Sequence, residues 1–421
     1  MRKLVVKDFS CIKNASIVFS RITLFIGPQA SGKSVLCKLA YFFTEAAFDQ
    51  SGLITQKKSI EDFKSHVKEK FIDWFPCGAW GREQFRIEFE SGNYKIAIAR
   101  KVYRSKIKDD IRITLSEAFE AQYALLEQGF SKVVSGMPKK HEPDSEFMFE
   151  YKFRDQSRKS LEKIMGADYV STQMFVPAGR SFFTSMDKAI GIFEQSRVID
   201  PLILRFGRLY TTYKNERPYY EIHREERLLN NQLIASMEEL FGGKLIKEGS
   251  KEYVQAIDGR KMPLTSLSSG QQELLPLLAI IPFLLYGRQG LVYIEEPEAH
   301  LFPKSQSALI AALVTLVNSS SRTPRNLVLT THSPYVLMKI NCLIKAGAIG
   351  RKTQDGIASK VESIVPRRTW LNGKFVKAYA ICEGEVKSID GHDGLIDADY
   401  LDGISGEIAE EFGRLLEVEY Q

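Results

Sequence analysis

The sequence predicts an α/β fold built on a phosphate-binding loop, and three observations predict it. The stretch Ile22-Thr23-Leu24-Phe25-Ile26 is a short, uncharged, apolar run that leads into GPQASGKS, and an apolar-periodic run (Val35, Leu36, Leu39, Ala40, Phe43) follows. Far along the chain, apolar strand-like runs at 291–296 and 327–331 alternate with a helical pattern at 305–317, as in a mostly parallel sheet. Between these regions, 84–90 and 94–101 alternate apolar and polar residues around Ser91-Gly92-Asn93, which adds an antiparallel lobe.

Taken in order, residues 4–9 and 15–19 read as two strands that pair ahead of the loop strand, and 38–75 as mostly helix. After the hairpin, 111–134 reads as strand then helix, and 138–145 as a polar, proline-containing loop. Residues 169–176 form a β-rich run ending at Pro177-Ala178-Gly179-Arg180. The span 187–241 reads as helical with a break at Pro218, and its charged part 221–233 as a solvated helix with internal ion pairs. A second hairpin occupies 244–257, with a return strand near Met262. The run 274–286 contains Pro276 and Pro282; at 13 residues it is too short to cross a bilayer and reads as a buried helix. Towards the end, 375–389 reads as a hairpin and 405–418 as a closing helix.

Composition sets the outer bounds. The chain has 421 residues, 44% hydrophobic and 26% charged, which is ordinary for a soluble globular protein of two or three domains or of one fold with large insertions. Lysine and arginine number 58 against 52 acids, a net charge of +6 that permits nucleic-acid contact without arguing for it. The five cysteines are scattered with no CxxC, as expected of reduced thiols rather than a disulfide framework or a zinc site. The N-terminus is basic but has no long apolar core, so no signal peptide is expected; the reading is a cytoplasmic protein with no membrane contact.

The chemistry of the loop is direct. Gly27 and Gly32 let the backbone of Pro28, Gln29, Ala30 and Ser31 curl so that successive N–H groups face a phosphate chain, and the helix start at Val35 adds its positive dipole end. Lys33 is placed to reach the β- and γ-phosphates and Ser34 to ligate Mg²⁺. Glu295 and Glu296 end an apolar strand, an expensive place for adjacent carboxylates. Side chains alternate along a strand, so the two are expected to point to opposite sides, one holding the Mg²⁺ water shell and the other orienting the attacking water. His332 ends a strand expected to lie beside the first, where a γ-phosphate would sit. Gly270, in Leu267-Ser268-Ser269-Gly270-Gln271, supplies bare backbone ahead of a helix, a weak signal alone.

The set GPQASGKS, LSSGQQE, LVYIEEPEAHLFP and TTHSP, in that order, resembles the ABC-type ATPase heads of the SMC, RecF and OLD group. The likeness is strongest to stand-alone bacterial ATPases of that group, several of which serve in anti-phage defence. It implies an ABC-ATPase head: a mixed sheet with a P-loop core, an antiparallel β lobe and an inserted helical lobe. Residues 1–45 and 262–421 would form the core and 46–261 the insertion. By position, residues 27–34 would be Walker A, and Ser268, Ser269, Gly270 and Gln271 the signature that meets the partner's ATP. Glu295 would hold the metal and Glu296 would be the catalytic base, with Pro297-Glu298-Ala299-His300 as the D-loop region and His332 as the switch histidine. Gln173 is expected as the metal-binding glutamine of the Q-loop. Two departures stand out: Glu295 replaces the usual Asp and is a methylene longer, which suggests a water-mediated contact, and Gln29 replaces the usual Asn. Arg180 is open between the phosphates, the dimer seam and a surface ion pair.

The resemblance further implies ATP and Mg²⁺ as cofactors and a homodimer that sandwiches ATP, with assembly into something larger left open. It also implies a separate effector protein, a nuclease or a toxin. DNA is a second possible partner, since Arg100, Lys101, Arg104, Lys106 and Lys108 give the hairpin a basic stretch; the same charges could equally guard a sheet edge. The stretch between Ser34 and Leu267 is far too short for a long SMC coiled coil. Two alternatives remain beside a defence ATPase: a RecF-like DNA-repair ATPase, and the ATPase part of an OLD-type nuclease system. Cys382-Glu383-Gly384-Glu385 superficially resembles the opening of a nuclease domain, but few residues follow it, where a separate domain needs on the order of a hundred.

Overall fold

The computed structural model describes residues 1–136, 143–186, 199–215, 224–248, 251–286, 290–319, 325–352, 356–391, 394–397, 410, 411 and 414. They fall into two compact units: Met1–Ser20 with Ala30–Gln173 and Ile381–Lys387, and Arg21–Gln29 with Met174–Ala380 and Ser388–Gln421.

In the first unit, strands β1 (Lys3–Phe9) and β2 (Ile12–Val18) pair antiparallel, as their alternating burial dictates. Strands β4 (Arg86–Ser91), β5 (Tyr94–Tyr103) and β6 (Lys106–Leu115) extend the sheet antiparallel in the order β6-β5-β4-β1-β2. The expected hairpin is present, and its turn needs glycine. Gly92 has φ 59°, and a Cβ there would lie 2.6 Å from the Ile164 carbonyl oxygen. The helix Lys33–Thr55 buries Leu36, Leu39, Phe42 and Phe43, and Ser59 and Asp62 form a capping box at the start of Ile60–Trp74. Phe9, Phe42, Phe71, Phe75 and Phe85 meet edge-on or tilted at centroid distances of 4.8–6.3 Å. Burial of each such ring is worth roughly 2–3 kcal/mol. Helices Glu117–Gly136 and Pro143–Met165 follow, so the loop expected at 138–145 is helical from Pro143, a proline at the first helical position; 137–142 lie outside the described residues.

The second unit holds the parallel part of the fold. Strand β3 (Ile22–Ile26) is buried at all five positions, as a strand covered on both faces must be. It pairs parallel with β12 (Asn326–Thr331) on one side and with β13 (Val376–Cys382) on the other. Strand β11 (Gly290–Glu295) pairs parallel with β12, and β7 (Thr172–Val176) lies beyond it. Leu24, Ile26, Leu327 and Leu329 share a core with the helices Pro303–Asn318 and Pro334–Gly350. Strands β8 (Gly243–Glu248), β9 (Lys251–Ala256) and β10 (Lys261–Pro263) form the expected second hairpin with its return strand.

Three expectations need adjustment. The apolar helix expected from Leu274 begins at Ser269, so Ser269, Gly270 and Gln271 of the LSSGQ stretch lie in its first turn. The helices Pro334–Gly350 and Ile357–Ile364 were not anticipated. The closing helix at 405–418 falls outside the described residues, apart from 410, 411 and 414, and so does the start of the charged helix at 221–223. Strand β14 (Glu385–Ser388) completes the hairpin with β13, and Cys382-Glu383-Gly384-Glu385 is its tight turn, with Glu383 and Gly384 at positive φ. Among the described residues no helix is long and apolar enough to cross a membrane.

Candidate functional site

The phosphate-binding loop is one continuous stretch whose first three residues, Gly27, Pro28 and Gln29, belong to the second unit and whose remainder belongs to the first. Ala30 and Gly32 take left-handed backbone conformations, φ 59° and 103°, which is the curl the glycine spacing predicts. At Gly32 any side chain would be strained by the positive φ, and a Cβ would also press on Ile12 Cδ1 at 2.5 Å and Cys11 Sγ at 2.8 Å. Lys33 is the first helical residue and is buried, while Ser34 is exposed and Val35 half-buried. The helix start carries no side-chain cap and no acid in its first turn, so no carboxylate there opposes an anion. The Ser31 hydroxyl is buried with no hydrogen-bond partner.

Gln173 sits at the start of β7. Its amide nitrogen donates to the Tyr41 carbonyl oxygen and to a Glu45 carboxylate oxygen, both at 3.0 Å and both on the loop's helix. Its carbonyl oxygen Oε1 is buried and unpartnered. An orphaned acceptor held by a fixed amide suits a hard cation.

In the second unit, parallel register brings three strand ends to one edge. Thr331 stands beside Ile26, so Gly27 follows at that edge; Glu295 stands beside Thr330, one residue earlier. Glu295 is 8% exposed, and its Oε2 accepts the Ala178 N–H at 3.2 Å. Glu296 lies just past the strand with φ 40°, and its N–H bonds to the Thr330 carbonyl and hydroxyl oxygens, both at 3.1 Å. This corrects the alternation argument: Glu296 is not in extended backbone, so the turn, and not the pleat, aims its side chain. A Glu296 carboxylate oxygen is 3.5 Å from His332 Nδ1, and His332 is 42% exposed in its side chain. The sequence reading assigned no separate role to Glu298. Only 3% exposed, it accepts the Thr331 hydroxyl at 2.5 Å and the His332 N–H at 3.1 Å. Its signal lay in the short spacing from Glu296, two residues on within the same tight turn.

The signature residues are built as a helix start. Ser268 caps the helix, with its hydroxyl accepting the Gln271 N–H at 3.3 Å and Gln271 Oε1 accepting the Ser268 N–H at 3.2 Å, a capping box. Ser268 and Ser269 are exposed. Gly270 packs so closely under the D-loop region that a Cβ would sit 3.0 Å from the His300 carbonyl oxygen.

Two charge readings left open by the sequence are narrowed. Arg180 is in no surface ion pair: it is fully buried among backbone carbonyl oxygens and the carboxylate of Glu273. Burial draws its pKa below the usual arginine value, against the opposing pull of Glu273, Glu298, Glu295 and Glu296. In the hairpin stretch, Arg100 is buried and paired with Asp109, and Lys101 is paired with Asp110. Arg104, Lys106 and Lys108 remain exposed.

Among the described residues no three His, Cys, Asp or Glu side chains gather as a metal cage. Taken singly, the Ser34 hydroxyl, the Glu295 carboxylate and the Gln173 amide oxygen are each the hard oxygen type that Mg²⁺ takes.

Residues 150–338, less than half of the chain, match a family model described as "AAA domain, putative AbiEii toxin, Type IV TA system". No curated protein matches the chain in sequence. Among solved structures, the SMC head domain from Thermotoga maritima is similar at 15% identity and a TM-score of 0.36, covering 92% of this chain and 97% of that one. An SMC head bound to the C-terminal winged-helix domain of ScpA is similar at 13% identity and a TM-score of 0.40, covering 92% and 96%. Likenesses that loose add nothing to what strand order and loop geometry establish. With the family model of an AAA domain, that geometry bears out the expected fold class, a mixed α/β fold with a P-loop core.

Proposed function

We propose that this chain is an ATP-hydrolysing, nucleotide-gated dimer that controls a partner protein or nucleic acid, in the setting of anti-phage defence. The observation that carries the reading is the shared sheet edge at which the first loop residues, Glu295, the Glu296 turn and His332 follow neighbouring parallel strands. Ligand sites of α/β sheets lie at such carboxyl ends.

In this reading the backbone N–H groups of residues 27–34 cradle the phosphates, and Lys33 neutralises the β- and γ-phosphate charge. Mg²⁺, held by Ser34, Glu295 and Gln173, supplies further charge neutralisation when bound. Glu296 orients the attacking water and accepts its proton, and His332, held beside it, contacts the γ-phosphate. The exposed Ser268 and Ser269, with Gly270 and Gln271, complete the site of the second subunit, so a lone subunit binds ATP and hydrolyses it poorly. Residues 1–45 and 262–421 form the ATPase core, and the insertion 46–261 contacts the partner.

The test is nucleotide binding by Lys33→Ala. Loss of a charge-assisted contact of about 1.5–3 kcal/mol weakens affinity roughly ten- to a hundredfold. Unchanged affinity refutes the reading. Duplex-DNA affinity with and without ATP across a salt series separates a protein partner from a nucleic-acid one, because phosphate contacts weaken steeply as salt rises.

A further inference from the structure

Everything that Arg180 touches belongs to its own loop, to the turn carrying Glu296, or to the signature helix Ser269–Tyr286. Its Nη1 donates to the carbonyl oxygens of Glu295 at 2.9 Å and Pro177 at 3.3 Å, and its Nη2 to those of Glu296 and Pro297, both at 3.2 Å. Its Nε donates to the Glu273 carbonyl oxygen at 3.0 Å and stands 3.3 Å from the Glu273 carboxylate. Glu273 is itself 2% exposed and follows Ser268–Gln271 by one helical turn. The short helix that follows this loop, Phe182–Met186, makes a second tie to that helix, from the Thr184 hydroxyl to the Gln272 carbonyl oxygen at 2.9 Å.

We propose that Arg180 is a positioning residue that couples the signature helix to the turn holding the catalytic glutamate. The proposal rests on the reading of Glu296 as the base. Glu296 adopts a left-handed conformation, φ 40°, that a side-chain-bearing residue keeps only when its surroundings enforce it. Three consecutive carbonyl oxygens, those of Glu295, Glu296 and Pro297, converge on one guanidinium, and a planar fork with five N–H donors can hold them together. An ammonium is a point charge and cannot span them. A buried guanidinium in turn needs a counter-charge, which Glu273 supplies from the signature helix. Movement of the first turn of that helix therefore reaches Glu296 through a chain of two side chains. In the dimer, a signature engaged by the partner's ATP sets the base of its own subunit, so each site reports on the other.

The experiment compares Arg180→Lys, Glu273→Gln and the two together. Three readouts are followed: affinity for a fluorescent ATP analogue, steady-state phosphate release, and hydrogen exchange of the backbone amides of Glu295, Glu296 and Glu298 (Pro297 has none) in nucleotide-free protein. Each single variant should keep affinity within twofold, lose at least tenfold in turnover and speed exchange at 295–298. The double variant should be no worse than either single, because the link is shared. In a Glu296→Gln background, Arg180→Lys should cause no further loss. A fall in affinity parallel to turnover, or unchanged exchange at 295–298, overturns the proposal. If the wild-type protein releases no phosphate at all, the ATPase reading fails while the exchange readout still decides the coupling. Should Arg180→Lys not fold, Arg180→Met with Glu273→Met removes both charges at once and serves the same exchange measurement.

Discussion

Glu298 holds His332 from below: one carboxylate oxygen accepts the His332 backbone N–H at 3.1 Å and lies 3.8 Å from the ring nitrogen Nδ1. The same oxygen accepts the Thr331 hydroxyl, so Glu298 fixes both residues at the end of β12. Glu298→Ala leaves two buried donors without an acceptor, which costs about 1–3 kcal/mol. A lowered urea midpoint with a slower turnover is expected, and Glu298→Gln, which keeps an acceptor in place, should recover most of the stability. Equal midpoints for the alanine variant and the wild type would contradict the clamp.

Glu296→Gln tests the base directly. The amide keeps the size and the hydrogen-bonding reach of the side chain but cannot take a proton. Phosphate release should fall by roughly 10²–10⁴-fold, the usual contribution of a positioned general base, while nucleotide affinity stays. Dimers should then persist in ATP, seen as a longer-lived dimer peak in size-exclusion chromatography. Unaltered phosphate release would remove Glu296 from catalysis.

The parts of this architecture that the sequence exposes are those decided locally. Ile22–Ile26 and the strand before Glu295 are continuous apolar runs, and Gly27 and Gly32 sit at a spacing that only a curled loop requires. What stayed hidden is long-range. The partners of Arg180 in the signature helix and the catalytic turn lie 93 to 117 residues away in sequence, and no local pattern distinguishes it from a surface arginine. Arg100 and Lys101 read as a free basic stretch because Asp109 and Asp110 face them only once β5 and β6 pair. The turn at Glu296 defeats the period-2 argument with a single positive φ. The helix Pro334–Gly350 was legible and missed: Val336, Leu337, Ile340, Leu343, Ile344 and Gly347 fall on one face at helical spacing, with the exposed Met338 off it.

Asp110 ties acid stability to the outer hairpin. Hydrogen bonds from Lys101 and then Lys68, at 2.6 and 2.5 Å, lower its pKa to about 2 from an ordinary 3.8. The folded value lies below the unfolded one, so the stabilisation is complete above about pH 4 and is lost as pH falls through about 2. Urea midpoints measured across that window should fall more steeply for the wild type than for Asp110→Asn. Parallel slopes would show that the pair contributes nothing to folding.

The proposed ATP-sandwich dimer gives Ser269 and Lys33 opposite roles. Ser269 is exposed at the first helical position of the signature, and Lys33 is buried at the start of the loop's helix. If the signature acts on the other subunit's nucleotide, Ser269→Arg destroys the site of its partner and spares its own loop. Lys33→Ala does the reverse. Each variant alone should then be inactive, for opposite reasons. Mixed in equal amounts, half of the randomly formed dimers pair one of each, and each mixed dimer has one intact site. Phosphate release should recover in part, to at most about a quarter of the wild-type value per subunit, the shortfall measuring how far each site depends on its own subunit's signature. Restoration requires two chains, since neither variant carries both a sound loop and a sound signature. A mixture no more active than the sum of its parts, under conditions where subunit exchange is verified, would place each site within a single chain.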